Sequence, residues 1–455
     1  MRYSDSLTGK RTIFALSAAA VGLLFCLTSC LTLREADALP TPDQPPETEI
    51  HTPEQVFQPQ EPEKTETVTY PDFERTVTPE AAEWIGWYES AYGKGRADDL
   101  LLNRTEIGNL NRRMRDETPN MRDMTALPSD MSGQEVRELI QRYNLPADER
   151  YVDGHTPITA AMQDEVRLNR ALDKVPDSVE IRRAVVTERC DLKGFPTDKT
   201  FHKSGDPHYD GIQETELIAA LPVAVLHTSE DGNFVFVLSY FYSGWIPAKN
   251  VAFCSDEDFL LFASPEDTVT ILSKTVDCGG VRYDMGASLP FVAEDADSYT
   301  VQVPRRSADT GTLYLEEAAI SKADAVRGTL DFTMENYYRQ AFLYLGTYYG
   351  WGGSSGGVDC SGFVCAVFRT FGIYLPRNTG EQSKYAGKLI SLTENPSGVL
   401  DTVRKPAAVY RPGHVMLYLG KKDGTHYIIH APQGGEQVCV AELSMANLTG
   451  VSVFG

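Results

Sequence analysis

One cysteine and two histidines in the last third of the chain have the types and spacing for nucleophilic acyl chemistry. Cys360 follows a run with six glycines between positions 350 and 362: Gly350-Trp351-Gly352-Gly353-Ser354-Ser355-Gly356-Gly357-Val358-Asp359-Cys360-Ser361-Gly362. Glycines permit tight turns and close approach to backbone. Past Cys360 the period turns helical. Phe363, Val364, Val367, Phe368 and Phe371 fall on one stripe, and Gly372 stands where a helix ends. Cys360 is thus expected at the start of a buried helix, with Asp359 near its N-cap. Unpaired N–H groups and positive potential there favour a thiolate, the reactive form. The Cys360 amide is also available to an oxyanion. The competing reading is an inert buried cysteine, which is the expectation for Cys365.

A thiol nucleophile needs a base. His414-Val415-Met416-Leu417-Tyr418-Leu419-Gly420 opens with His, Lys421-Lys422-Asp423-Gly424 reads as a turn, and Thr425-His426-Tyr427-Ile428-Ile429-His430 returns. A hairpin with its loop centred near Lys422 sets His430 directly opposite His414, with Cβ atoms roughly 5 Å apart. His414 would then take the proton of Cys360, and His430 would orient the His414 ring and fix its tautomer. His426 is expected as an exposed turn residue. Zinc is the other use of one Cys and two His. No Cys-x-x-Cys or His-Glu-x-x-His pattern accompanies them, so no metal and no cofactor is expected.

Trp351-Gly352-Gly353, Asp359-Cys360-Ser361-Gly362-Phe363, Leu375-Pro376-Arg377-Asn378-Thr379, Gln382, His414-Val415-Met416-Leu417-Tyr418-Leu419-Gly420 and Ile429-His430-Ala431 together resemble the NlpC-type bacterial cell-wall peptidases, which are papain-like cysteine peptidases. The resemblance implies cleavage of the γ-D-glutamyl bond to a diamino acid in peptidoglycan stem peptides. It implies Cys360 as nucleophile, His414 as base and His430 as third member, with Tyr349, Asp359, Ser361 and Arg377 near the substrate. By the same resemblance Asp359 faces the substrate and favours the L-Ala amine of a released stem peptide. The family's Gly-Asp-Leu run before the His strand is missing from Ser397 to Gly413, which holds Arg404-Lys405-Pro406 and Tyr410-Arg411-Pro412 instead. The competing reading is a non-catalytic peptidoglycan-binding lipoprotein that keeps the fold for recognition.

The elements that must position these residues divide into blocks. Residues 73–175 read as a helical stabilising segment, with Trp84, Ile85, Trp87 and Tyr88 in Glu80 to Tyr92, a capping-box pattern at Ser132-Gly133-Gln134-Glu135 and a third helix over Thr159 to Val175. Residues 176–256 turn to β character: Val223 to Leu226 and Phe234 to Leu238 flank an Asp231-Gly232 turn. With Gly244-Trp245-Ile246 they resemble a bacterial SH3-like barrel. Residues 257–328 read as a second, shorter barrel, where Leu289-Pro290-Phe291-Val292 echoes Leu221-Pro222-Val223-Ala224, ending in a helical connector over Glu316 to Val326. Residues 329–455 are the peptidase domain, opening on a helix over Tyr338 to Leu345. The expected class is α+β multidomain: a helical N-terminal segment, two small SH3-like β-barrels and a C-terminal papain-like α+β catalytic domain. The order resembles the peptidase subgroup with two barrels. In that subgroup the first barrel narrows the cleft and holds a free N-terminal amine, and Tyr242 is the candidate for that role here.

The 455 residues carry 64 acidic and 42 basic side chains, a net charge of −22, with no basic cluster. A nucleic-acid partner is excluded on that balance. Lys10 and Arg11 precede an uncharged run from Thr12 to Ser29, and Leu27-Thr28-Ser29-Cys30 resembles the bacterial lipobox. Residues 1–29 are therefore expected as a lipoprotein signal peptide. Cys30 becomes the lipidated residue, and residues 30–72, rich in Pro, Glu and Thr, a tether. This implies a monomer anchored to a membrane by lipid and facing the cell envelope. Leu31 favours the outer membrane in a two-membrane cell. The compartment permits disulfides, so Cys190 and Cys254 are free to pair or to remain buried thiols.

Overall fold

The computed structural model describes residues 77–433 and 436–455. The expected signal peptide, the lipidation site Cys30 and the tether lie outside the described residues. No helix among the described residues is long and apolar enough to cross a membrane.

Helix α1, Pro79–Tyr92, starts where Thr78 Oγ1 accepts from the Ala81 amide and Pro79 fills the first turn. Its Trp84 packs against Tyr338 and Tyr427 in the core of the C-terminal domain. Helix α2, Arg104–Glu117, joins the same core through Ile107 and Met114. It is absent from the sequence expectations because so few of its residues are apolar; its Asn103–Glu106 capping box is the signal that marks it. Helix α3, Gly133–Gln141, opens on the Ser132–Glu135 capping box. Helix α4, Ala160–Leu168, stops short of Val175, because the chain turns through Ala171 at φ +47° into a 3-10 turn. Val136, Ile140 and Val166 of α3 and α4 belong to the core of the next domain. The N-terminal helices are thus shared between two bodies, and short strands such as Asp130–Ser132 and Tyr151–Val152 interrupt them.

Seven antiparallel strands follow, in the order Val251–Phe253, Arg182–Val186, Pro222–Thr228, Phe234–Leu238, Ser243–Pro247, Cys190–Lys193, Gln213–Leu217. Asp231 Oδ1 closes the Asp-Gly turn by accepting from the Ser229 hydroxyl and the Asn233 amide. The last strand, Gln213–Leu217, faces the catalytic loop. Helix α5, Asp256–Ala263, leads into five antiparallel strands ordered Leu313–Ser321, Ser298–Arg306, Ser288–Glu294, Thr268–Ile271, Ala325–Arg327. The helical connector is overturned here. Leu313–Ser321 is a strand that pairs residue for residue with Ser298–Arg306, and Ala325–Arg327 is another. The helix-forming run Glu316-Glu317-Ala318-Ala319 yields to a continuous ladder, a case of tertiary pairing overriding weak local propensity.

The C-terminal domain sets helices against one six-stranded antiparallel sheet. Helix α6, Met334–Phe342, begins one turn before the expected Tyr338, at the Thr333 N-cap. Helix α7, Cys360–Arg369, is buried along its length. Helices α8, Thr379–Tyr385, and α9, Pro396–Leu400, flank the sheet. Strand order is Lys388–Ser391, Gly450–Val453, Ala407–Arg411, His414–Lys422, Thr425–His430, Cys439–Glu442. Ala407–Arg411 supplies the strand before His414 without a Gly-Asp-Leu run. Cys190 and Cys254 are separate free thiols.

Candidate active site

Cys360 is the first residue of α7. Asp359 caps that helix, its Oδ1 accepting from the Gly362 amide at 2.7 Å. The Cys360 thiol is held near the Val415 amide, next to His414, and 3.7 Å from Thr379 Oγ1. Burial and the adjacent Asp359 carboxylate push the thiol up, and the Val415 N–H, Thr379 and Arg377 do not offset them. Burial and the Asp359 carboxylate thus work against the thiolate that the helix start favours.

His414 Nε2 and His430 Nδ1 are 2.8 Å apart, with the rings near-perpendicular. Burial, then His430 and Arg411, lower His414 to about 4; burial and Arg411 lower His430 to about 4. Both rings are neutral at pH 7. With His414 Nε2–H donating to His430, Nδ1 of His414 carries the lone pair that a thiol proton can reach.

The register differs from direct opposition. The turn is the two residues Asp423-Gly424, at φ +52° and +84°. Next to it Lys422 pairs with Thr425 and Gly420 with Tyr427. Continued, that register puts His430 on the face opposite His414. A bulge between Tyr418 and Gly420 shifts it, so that Tyr418 pairs with Ile428 and Leu417 with Ile429. His414 and His430 then share a face as diagonal neighbours. The bulge is braced: Tyr338 donates to the Leu419 carbonyl at 2.7 Å, Tyr337 to the Tyr418 carbonyl at 3.1 Å, and the Trp87 ring of α1 covers Gly420. His426 is corrected from exposed to buried, with Nδ1 2.7 Å from the Tyr418 hydroxyl.

Asp359, Ser361 and Arg377 are also relocated. Arg377 Nη1 and Nη2 donate to the two Asp359 oxygens at 3.0 and 2.7 Å, and Nη1 to Ser361 Oγ at 2.9 Å. The Gly352 amide donates to Asp359 Oδ2 at 2.9 Å. Every polar atom of Asp359 is engaged and the side chain is buried, so it has no free oxygen for a substrate amine. Burial alone would raise Asp359, but Arg377 outweighs it and holds the carboxyl below its ordinary range. These residues form one network around the N-cap of α7.

Tyr349 is buried beside them, its hydroxyl facing the Gln433 side chain. Burial, then Asp359 and Cys360, push that hydroxyl up, so it stays a proton donor. Tyr242 comes from the first barrel and donates to Glu214 Oε2 at 2.6 Å. Glu214 was outside the sequence candidates, although the run Gln213-Glu214-Thr215-Glu216 sets acids in an otherwise apolar barrel. Burial raises its pKa against the pull of Tyr242, Arg142 and Arg377. The same strand stitches onto the catalytic loop: Trp351 Nε1 donates to the Gln213 carbonyl at 2.9 Å, and Arg377 Nε to Thr215 Oγ1 at 2.6 Å.

Residues 346–450 match the NlpC/P60 family, and residues 198–247 match SH3 domains of the SH3b1 type. The chain carries both domains. It is 26% identical over 215 residues to a γ-D-glutamyl-L-lysine dipeptidyl-peptidase of Bacillus cereus, covering 45% of this chain and 60% of that one. A protein of the same name from Bacillus subtilis is 34% identical over 113 residues, 25% of this chain and 36% of that one. The chain thus spans less than two thirds of these relatives' own length. In fold it is similar to an NlpC/P60 endopeptidase from Photobacterium damselae subsp. piscicida, with a TM-score of 0.67, 18% identity, and 84% and 98% of the two chains covered.

Proposed function

We propose that the chain is a cysteine endopeptidase of the cell envelope that hydrolyses the γ-D-glutamyl–diamino acid bond of peptidoglycan stem peptides. The observation that carries this is the 2.8 Å contact between His414 Nε2 and His430 Nδ1, beside a thiol at the start of α7. The Cys360 Sγ attacks the γ-glutamyl carbonyl carbon as its proton passes to His414 Nδ1. The Cys360 N–H and the Tyr349 hydroxyl receive the oxyanion. His414 gives the proton to the departing amine, leaving a thioester. Water then attacks with His414 as base, freeing the γ-carboxylate and restoring the thiol.

The pair of Glu214 and Tyr242 supports the finer specificity. An acid held 2.6 Å from a tyrosine hydroxyl at the edge of the catalytic loop suits a free N-terminal ammonium. The substrate is then a stem peptide released from its glycan, whose L-Ala amine is free. The names of the two Bacillus relatives agree with a γ-D-glutamyl bond. Cys30 is the lipid attachment in this reading, and the folded body acts as a monomer at the membrane surface.

The test is incubation with L-Ala-γ-D-Glu-L-Lys and with its meso-diaminopimelate counterpart, followed by mass analysis. Release of L-Ala-D-Glu from at least one, and none from Cys360→Ala, is expected. An unaltered substrate with the wild-type chain, or an active Cys360→Ala, overturns the proposal.

A further inference from the structure

A cavity of about 230 Å³ lies where the loop after α2, the first barrel, the five-stranded sheet and the C-terminal end of α7 meet. It is separate from the thiol. Arg369, which lines it, ends the helix that Cys360 begins, roughly 14 Å away along the axis. Met121, Met124, Leu221, Pro222, Phe262 and Ala287 make much of its wall. At ordinary packing density it has room for roughly ten non-hydrogen atoms.

Three guanidinium groups and the Asp123 carboxylate interrupt the apolar lining. Arg369 is buried; its guanidinium meets the Tyr240 hydroxyl, and its Nε lacks a hydrogen-bond partner. Arg122 is half-buried, and Nη1 donates to the Asn120 carbonyl at 2.9 Å. Neither makes an ion pair with a carboxylate among the described residues; burial works against the Arg369 charge but Tyr240, Cys365 and Glu216 outweigh it, whereas burial and Arg142 pull Arg122 down. The other arginine in the wall, Arg115, is neutralised by Asp123 at 2.8 Å. A cation withdrawn from water without a counter-ion is costly, and at Arg122 an anion entering the cavity would offset that cost. A mostly apolar hollow with a few convergent polar groups is the general form of a small-molecule site.

We propose that this cavity binds a small carboxylate with an apolar tail, its head on Arg122 and Arg369 and its tail against Met121, Leu221 and Phe262. The proposal goes beyond peptidase action and stands whether or not that reading holds.

Octanoate titrated calorimetrically into the full chain tests it, with 1-octanol and acetate as the uncharged and tailless arms. Octanoate should bind one per chain, and octanol and acetate at least tenfold more weakly. Arg122→Gln should weaken octanoate about 10- to 100-fold and leave octanol unchanged. Ala263→Phe, which fills the hollow from the end of α5, should abolish octanoate binding. The idea is overturned if octanoate gives no heat and no rise in Tm up to about 10 mM. Octanol or acetate binding as tightly as octanoate, or unaltered octanoate affinity in either variant, also overturns it. Should a variant fail to fold, the wild-type comparison of the three ligands decides.

Discussion

Gly420→Ala should cripple the catalytic pair although it lies away from it in sequence. Gly420 sits at φ +135°, and an added Cβ would lie 2.5 Å from Trp87 Cζ3 and closer still to Cη2. Backbone strain at such an angle costs about 1–3 kcal/mol. Overpacking against the indole adds about 1–3 kcal/mol, less if Trp87, only half-buried, swings out. The bulge at this point decides on which face His430 falls, so relief of the clash by register slip removes the His414–His430 bond and the tautomer it fixes. We expect kcat/KM to fall at least tenfold, since a general base contributes about 10²- to 10⁴-fold. Gly424→Ala is the control: it has φ +84°, and its Cβ would meet nothing within 4 Å. That variant should lose stability and keep kcat/KM, while Trp87→Ala should restore part of the Gly420→Ala loss. Peptide hydrolysis and the imidazole NMR resonances of His414 and His430 report the two effects. Wild-type kcat/KM in Gly420→Ala, with unmoved imidazole resonances, would refute the bracing argument.

Further outcomes follow from the site. Because burial lowers both imidazoles from 6.5 to about 4, the base stays neutral and activity should persist to near pH 5; an acid limb centred at 6.5 in the pH–rate profile contradicts this. By linkage the unfolded chain binds these protons first, so stability is full above pH 6.5 and is lost as pH falls toward 4, which urea titrations at stepped pH will show. Glu214→Gln should cost roughly 10- to 150-fold in kcat/KM on free-amine peptide and nothing on N-acetylated peptide; equal rates on both peptides with the wild-type chain sink the ammonium role. Tyr349→Phe should lower kcat about 100-fold with little change in KM, and an unchanged kcat would remove it from the oxyanion site. Cys30→Ser should move the chain from membrane to soluble fraction, and retention in the membrane pellet would argue against lipid anchoring at that residue.

Much of the site's composition is legible in the sequence, because each part is local. Asp359, Cys360 and Gly362 make a cap and helix start within four residues, and the aromatic stripe after them fixes which side is buried. The His–His pair is legible as a hairpin but not in its register. A two-residue turn and a bulge give the same facial parity as a longer loop without a bulge, and alternation alone does not tell them apart. What the sequence hides depends on distant partners. Asp359 and Arg377 look like surface charges fit for a substrate until Arg377 is seen to close on Asp359. Glu214 becomes a candidate only when Tyr242 and the catalytic loop surround it. The strand Leu313–Ser321 reads as helix by composition, and its identity comes from the ladder it joins.

Arg377 explains why the barrel and the peptidase domain act as one unit. Its guanidinium holds the cap of the nucleophile helix with both Nη atoms and the barrel's Thr215 with Nε. Glu216 of the same strand lies 3.5 Å from Nη2. Arg189 extends the chain of charges, bonding Asp284 of the hairpin Thr275–Cys278/Val281–Asp284 at 2.7 Å and the Gly353 carbonyl at 2.7 Å. Such buried charges add little net stability, since desolvation offsets most of their attraction, but removing one partner leaves the others uncompensated. Their effect is geometric. The barrel does not touch Asp359 itself; it fixes the far side of the Arg377 guanidinium, through Thr215 and Glu216. Separated from the barrel, the domain would keep its thiol and both histidines and lose the Thr215 and Glu216 contacts of Arg377, as well as the Glu214–Tyr242 pair. The barrel is therefore bonded to the residues that brace the cap of α7, and not merely joined to the domain by the chain.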